Sequence, residues 1–153
     1  MIRHNALVPL SHDHHLGLMA AVRLKRGDAA YKRSRSIAES VEELWRTELA
    51  GHFEQEEECL FTLEVDAPTR AMIERAIDEH RRMRALVEQI AAGAPDDVAR
   101  ELGTLLESHI RFEERELFEA LQAQVDEARL ARAGDAIAAG RTPRACSSDD
   151  PGH

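Results

Sequence analysis

The apolar positions of this chain recur at spacings of three and four residues, which is the pattern of helices that bury one face. The clearest stripe is formed by Ile73, Ala76, Ile77, Met83, Val87 and Ile90. Capping residues, glycines and prolines interrupt the pattern. They predict four long helices over residues 11–26, 36–63, 66–92 and 95–125, and a shorter helix over 126–139.

Four long amphipathic helices joined mostly by short connections predict an all-α fold. We expect an antiparallel up-down-up-down four-helix bundle with a short C-terminal fifth helix. One domain then covers residues 1–140, with a basic loop before Ser36 and a disordered tail at 141–153. The composition agrees, because aromatic residues make up only 4% of the 153 residues and strands are rich in them.

The charge balance of the chain argues against some classes of binding partner. There are 20 Lys and Arg against 29 Asp and Glu, a formal net charge of -9. An acidic chain is unsuited to nucleic acid phosphates and to anionic membranes. No apolar run approaches the ~20 residues of a membrane span, and the N-terminus lacks the apolar core of a secretory signal. We therefore expect a cytoplasmic protein that binds neither nucleic acid nor membrane.

Histidines occupy positions where the apolar stripes predict the core. His80 fills the gap in the third helix, and His52 and His109 lie on the stripes of the second and fourth. Glu56 and Glu113 follow the latter two by four residues, on the same face. At 1.5 Å per residue, the three imidazoles lie in nearly one layer of the bundle. Buried carboxylates beside them require a compensating charge.

The first helix must supply the fourth side of this layer, from His12, His14 or His15. The apolar stripe Leu18, Met19 and Val22 is centred closest to His15. The offsets of apolar residues after His80 also match those after His15 better than those after His14. We therefore expect His15, with His14 as the alternative, because the loop that follows is too long to check the height of this helix.

An internal repeat supports a paired site. HFEQEEECLF at 52–61 and HIRFEERELF at 109–118 share HxxxEExxLF, with 57 residues between their starts. The chain is therefore expected to form two helix hairpins related by a pseudo-two-fold axis, each contributing two His and one Glu. Six such residues, symmetrically halved, predict two metal ions bridged by the carboxylates. Imidazole with carboxylate suits iron better than Ca²⁺ or Mg²⁺.

These residues resemble a hemerythrin-like domain of the HHE cation-binding family, over roughly residues 8–125. The family pattern is matched by His15 or His14, His52 with Glu56, His80, and His109 with Glu113. The resemblance implies two non-haem iron ions with oxo or hydroxo and carboxylate bridges. It also implies oxygen binding or sensing, iron handling, or a response to nitric oxide or oxidative stress.

One departure from the family concerns the third helix. The oxygen-carrying hemerythrins of marine invertebrates have a further His there, four residues from the first, whereas Ala76 and Arg84 flank His80 at that spacing here. With one His fewer, both irons keep an open position unless Glu57 or Glu114 closes it. Open positions on both metals favour chemistry over reversible carriage.

The predicted function is a di-iron protein that binds or reacts with O₂, NO or peroxide in an oxidative or nitrosative stress response, together with a separate redox partner. This predicts an apolar pocket beside the irons, lined by Leu18, Leu49, Met83 and Leu105. One alternative is an iron-handling or iron-donor oxidoreductase. A second is a purely structural or partner-binding helical bundle. The sequence leaves open whether the protein is an enzyme.

Overall fold

The computed structural model describes residues 2–27 and 36–141, and within them every regular element is helical. A short 3-10 turn, Asn5–Leu7, leads into α1, Val8–Arg26. The remaining helices are α2, made of the consecutive segments Ile37–Leu44, Trp45–Leu49, Ala50–Gln55 and Glu56–Leu60; α3, Ala67–Ala91; α4, made of Asp96–Phe112, Glu113–Leu117 and Phe118–Gln124; and α5, Glu127–Gly140. The prediction of an all-α fold is confirmed. The predicted loop before Ser36 and the predicted tail fall mainly outside the described residues.

Local sequence explains most helix ends. Ser36 begins α2 with a capping box, in which its hydroxyl accepts from the Glu39 N–H and the Glu39 carboxylate reaches back. Asp66 caps α3 by accepting from the Thr69 N–H at 2.9 Å. Helix α1 begins at Val8 rather than at the predicted Ser11. Its first turn contains a proline, whose missing N–H has no helical partner at that position in any case.

Helix α4 runs in the opposite direction to α1 and to α3. Ser11 near the start of α1 donates to Glu114 at 2.7 Å, while Lys25 near its end contacts Glu107, which lies earlier in α4. The same reversal relates α3 to α4, through Thr69 with Gln124 and Glu79 with His109. These contacts bring the middles of α1, α3 and α4 to the same height.

The buried apolar side chains form two clusters, one on each side of a polar layer. One cluster contains Leu24, Phe53, Met83 and Leu106 among others. The second contains Leu10, Leu60, Ile73 and Phe118 among others. Polar side chains between them are shielded from water above and below, which strengthens every electrostatic interaction in the layer.

Small residues hold α1 close against α4. A Cβ added at Gly17 would lie 2.7 Å from Cδ1 of Ile110, and one at Gly103 would lie 2.9 Å from the Ala21 carbonyl oxygen. Because the contact at Gly103 is with backbone, glycine is required there, whereas a side chain at Gly17 would require the end of the Ile110 side chain to shift. Among the described residues, no helix is long and apolar enough to cross a membrane.

Candidate metal centre

The polar layer contains one histidine from each of the four long helices and one glutamate from each of α2 and α4. Its members are His14, His52, Glu56, His80, His109 and Glu113, and none is more than 6% exposed. Both glutamates are completely buried. Ionisable side chains are rarely buried to this degree unless they are paired or bind a metal.

Each of the four carboxylate oxygens faces a different imidazole Nε2. Glu56 Oε2 lies 3.1 Å from His52, and Glu56 Oε1 lies 3.1 Å from His80. Glu113 Oε1 lies 3.0 Å from His14, and Glu113 Oε2 lies 3.3 Å from His109. Both carboxylates therefore reach across the layer and are shared between two pairs of histidines.

These side chains form two overlapping groups that are able to hold a metal ion. One ligand atom from each of His14, His52, Glu56 and Glu113 lies within 4.8 Å of the others. The same holds for Glu56, His80, His109 and Glu113. Within each histidine pair the Nε2 atoms face each other, at 3.1 Å between His14 and His52 and at 3.2 Å between His80 and His109. The arrangement is that of two adjacent sites with two shared carboxylates.

The donor set fits two cations. Among the described residues, the four carboxylate oxygens of Glu56 and Glu113 are the buried side-chain nitrogen or oxygen atoms that have no hydrogen-bond partner. Unsatisfied buried carboxylate oxygens are costly, and cations within the layer would satisfy all four at once. Imidazole nitrogen combined with carboxylate oxygen is a set that suits iron and other transition metals.

A second ring of carboxylates holds the histidines from the outside. The Nδ1 of each imidazole faces a carboxylate oxygen: Asp13 for His52 at 2.8 Å, Glu114 for His14 at 2.7 Å, Glu57 for His80 at 2.7 Å, and Glu79 for His109 at 2.8 Å. Since an ionised carboxylate only accepts, each Nδ1 carries the proton. Each Nε2 therefore faces the centre, where a bound cation would take the place of a second proton, the usual arrangement around metal-bound histidine.

Arginines hold three of these outer carboxylates in turn. Arg141, just after α5, donates through Nη1 to Asp13 at 3.1 Å. Arg75 donates through Nε to Glu79 at 3.1 Å, and Arg3 donates to Glu114 at 3.1 Å. The outer ring is therefore anchored to α3, to the N-terminal segment and to the end of α5.

The repeat HxxxEExxLF encodes several of these contacts together. Its histidine and first glutamate are the inner pair, and its second glutamate binds Nδ1 of a histidine on a neighbouring helix. Its phenylalanine stacks on that same ring, Phe118 on His14 at 5.3 Å and Phe61 on His80 at 5.9 Å between centroids. Each copy of the repeat therefore orients one histidine of α1 or α3.

The helices widen to π-helical turns at the shared carboxylates. The turns Glu56–Leu60 and Glu113–Leu117 each begin at one of the two glutamates. The Phe61 N–H donates to the Glu56 carbonyl at 2.8 Å, which is an i to i−5 bond. Such turns occur frequently at functional sites, because they change the direction in which side chains leave the helix.

The protonation equilibria show how strongly the layer attracts positive charge. Burial lowers the pKa of His52, but the adjacent Glu56 and Asp13 outweigh it and raise that pKa to about 9. Burial likewise lowers the pKa of His109, but Glu113 and Glu79 outweigh this effect and raise that pKa to about 10. Burial raises the pKa of Glu56, yet His52 and the other imidazoles hold it well below its usual range.

The structure brings together six of the seven residues proposed from the sequence and corrects the preference within α1. His14 is 3% exposed and belongs to the layer, whereas His15 is exposed to solvent. The register argument failed because Met19 and Val22, taken as core positions, are 57% and 41% exposed. The buried face of α1 and of the turn before it is instead Leu7, Leu10, His14, Gly17, Ala21 and Leu24.

The sequence contained a signal for His14 that apolar spacing did not use. Asp13 directly precedes His14, as Glu79 directly precedes His80. Asp13 binds Nδ1 of His52 and Glu79 binds Nδ1 of His109, in each case on the next long helix of the chain. Glu57 and Glu114, considered as additional metal ligands, instead hold Nδ1 atoms.

An apolar cavity of about 240 Å³ adjoins one side of the layer. Its lining includes His14, His52 and His109, together with apolar side chains of α1, α2 and α4. Of the four residues predicted to line such a pocket, Leu49 does so, while Leu18, Met83 and Leu105 do not. Those three lie elsewhere on the same apolar cluster or against it, because the cavity opens beside α1 rather than towards α3.

Comparison with known families gives one match. The model of the hemerythrin HHE cation-binding domain matches residues 5–121, a span that contains all six residues of the polar layer. Comparisons with curated proteins and with solved structures found no match. The family match covers well over half of the chain and agrees with the helical architecture and the buried His and Glu groups. The chain therefore belongs to the hemerythrin HHE cation-binding domain family.

Proposed function

We propose that this protein holds two iron ions in its polar layer and binds or reacts with a small ligand, O₂, NO or peroxide. The observation that carries the proposal is the pair of fully buried carboxylates, each of which faces one imidazole from both histidine pairs. Membership of a cation-binding family supports it. Two irons bridged by oxo or hydroxo and by carboxylate supply redox-active positions for such a ligand.

The protein's own residues divide the work of holding two ions. His14 and His52 serve one ion, and His80 and His109 serve the other. Glu56 and Glu113 are shared and hold the ions next to each other. The protein would supply each ion with two imidazoles and two carboxylate oxygens, which would leave room for further ligands. Open positions of this kind are what a reactive centre requires.

The outer carboxylates keep each imidazole in the tautomer that presents Nε2 to the centre. Partners of this kind raise the basicity of a metal-bound histidine and fix its orientation. The burial of the layer between two apolar clusters excludes water from both sides. These features support a site that retains its metal and admits a small apolar ligand through the adjoining cavity.

The same observations bear on the alternative of iron donation. A donor must release its metal, yet the six inner side chains are at most 6% exposed and three of the outer carboxylates are tied to arginines. This arrangement favours retention over release. The opposite directions of α4 and of its neighbours α1 and α3 support the up-down-up-down bundle that we propose for the domain. A cytoplasmic location and a separate redox partner stay predictions from the sequence.

The test is the metal content of the full chain, purified without added chelator, together with its visible absorption spectrum. We expect about two irons per chain and a charge-transfer band of a bridged pair. His14→Ala should lose one ion or both, whereas the matched change His15→Ala should keep both. Absence of metal, with none taken up anaerobically from ferrous iron, would contradict the proposal and favour the structural bundle. Equal losses in the two variants would contradict the role of His14.

A further inference from the structure

We infer that the cavity beside α1 is a binding site for a compact, uncharged apolar organic molecule, about the size of one substituted aromatic ring. Its volume is about 240 Å³. An apolar cavity of roughly 150 Å³ is already large enough to bind benzene. A diatomic gas needs far less space than this cavity provides, so the cavity is built for a larger occupant.

The chemistry of the walls identifies the class of ligand. Aliphatic and aromatic side chains from three helices form most of the surface: Leu16, Met19, Leu44, Leu49, Phe53 and Ile110. Leu16 and Met19 are 50% and 57% exposed, so they line the entrance from solvent. Exposure of large apolar side chains to water is unfavourable, and a ligand that covers them removes this cost. The inner end is formed by His14, His52 and His109.

The charged groups of the lining argue against an ionised ligand. They are the carboxylates of Asp13 and Glu48 and the guanidinium of Arg23. Asp13 is engaged by His52 and Arg141, and the chain as a whole carries a formal charge of -9. An anion would meet two carboxylates at the site, while a cation would lose its hydration among apolar walls. An uncharged molecule avoids both costs.

The internal repeat explains why the cavity exists on this side of the layer. With His14 aligned to His80, Gly17 and Ala20 of α1 correspond to Met83 and Leu86 of α3, both of which are buried. The small residues let α1 move onto α4, where a Cβ at Gly17 would meet Ile110. They leave unfilled the space between α1 and α2 that larger side chains would occupy.

This inference deepens the proposed function, since it places an organic molecule next to both histidines assigned to one ion and one histidine assigned to the other. Its binding step does not depend on the metal, however. The cavity walls are formed by packed side chains of α1, α2 and α4, and their apolar surface is present whichever cation the layer holds. Binding and metal content can therefore be measured separately on the same sample.

Toluene is a suitable probe, and headspace gas chromatography measures the amount bound per full-length chain. Two variants fill the cavity from opposite walls, Ala20→Leu from α1 and Leu49→Phe from α2. The matched control is Ala85→Leu, which adds the same side chain at an exposed position of α3. Benzoate, measured by equilibrium dialysis, tests the preference for an uncharged ligand. Iron is counted in every sample, as purified and after chelation.

We expect saturable binding of about one toluene per chain in both preparations. Ala20→Leu and Leu49→Phe should each weaken it at least about tenfold, while Ala85→Leu leaves it within about twofold. Benzoate should bind at least about tenfold more weakly than toluene. Absence of saturable binding, or equal binding by Ala20→Leu and Ala85→Leu, would overturn the inference. Toluene binding in a chain that takes up no iron would uphold it and overturn the proposed function instead.

Discussion

The two helix hairpins, α1 with α2 and α3 with α4, contribute equivalent ligands but different surroundings. Each supplies an acidic residue followed by histidine and then HxxxEE. The buried face of α1 and of the turn before it also has a counterpart in α3. In chain order, Leu7, Leu10, His14, Gly17, Ala21 and Leu24 correspond to Ile73, Ala76, His80, Met83, Val87 and Ile90. All twelve side chains or glycine positions are buried, but several of the paired residues differ in size. The first helix is built from smaller residues in the half beyond its histidine.

The anchoring of the outer carboxylates differs as well. Glu79 is held by Arg75, one turn earlier on the same helix. Asp13 is held by Arg141, which lies 128 positions away along the chain and beyond the residues that the family model matches. The repeat therefore specifies the ligands, while packing and the C-terminal helix make the two halves of the site unequal.

The largest expected effect comes from removing a carboxylate that both halves share. Glu56→Ala or Glu113→Ala should reduce the iron content from about two ions to near zero, because each glutamate serves both ions and its loss leaves buried imidazoles without a counter-charge. His52→Ala or His109→Ala should leave about one. Metal analysis of the purified variants measures this. Glu54→Ala, at an exposed position in the same helix, is the control, and two ions retained in Glu56→Ala would refute shared ligation.

Substitutions of the outer carboxylates should affect the two halves of the metal site separately. Asp13→Ala should lower the affinity for the ion held by His14 and His52 by about 10–100-fold. Glu79→Ala should lower the affinity for the ion held by His80 and His109 by a similar factor. Competitive chelator titration, resolved into two binding steps, measures this.

Arg141→Ala should act on the same step as Asp13→Ala but more weakly, since it changes the anchor of the carboxylate and not the carboxylate itself. Arg75→Ala should act on the step affected by Glu79→Ala. If both arginine variants change the two steps alike, the halves are coupled too tightly for the comparison to hold.

The close approach of α1 to α4 is tested at Gly103. Gly103→Ala should lower the free energy of unfolding by about 1–3 kcal/mol, because the new Cβ would lie 2.9 Å from both the Ala21 carbonyl oxygen and the Leu24 Cβ. Gly51→Ala in α2 meets nothing within 4 Å and should stabilise by about 0.5–1 kcal/mol through helix propensity. Urea unfolding monitored by circular dichroism measures both. Equal effects would show that α1 has room to move away from α4.

The smallest effect concerns how the two hairpins begin. Asp66 caps α3, whereas the first residue before α1 makes no side-chain cap. Its hydrogen bonds with Thr69 lower the pKa of Asp66 below the ordinary 3.8. The cap therefore contributes stability above that ordinary value, and the contribution is lost as the pH falls through the lowered pKa.

Asp66→Ala should lower Tm by about 2 °C at neutral pH. The difference from the parent chain should shrink as the pH falls below about 4. Thermal melts of both chains across this range measure the effect, with Asp78→Ala, at an exposed position within α3, as the comparison. A difference that stays constant with pH would show that the cap does not act through its carboxylate.

Most of the helical architecture follows from local sequence. The capping residues Ser36, Asp66 and Asp126 mark helix starts that the structure contains. The repeat HxxxEExxLF identified His52, Glu56, His109 and Glu113, and the apolar stripe of α3 identified His80. The structure buries these side chains in one layer, as the spacing predicted, because a helix presents residues three and four apart on one face whatever its neighbours are.

Apolar spacing could not predict which face of α1 is buried, because the larger apolar residues of this helix do not all lie on its buried face. Its large apolar residues Leu16, Met19 and Val22 are exposed, and its buried face contains glycine and alanine. Apolar residues are informative about burial only on average. Only the packing of α1 against α4 decides that His14, and not His15, enters the layer.

The sequence by itself determined the helices, the pairing of each HxxxE motif and the presence of a charged layer inside the core, because these depend on spacing along one helix. The tertiary structure decided which carboxylate faces which imidazole, how Asp13 and Glu79 orient histidines on other helices, and where the cavity opens. Those features depend on distances between helices. Distances of that kind are set by the sizes of the side chains packed between them, which no single helix records.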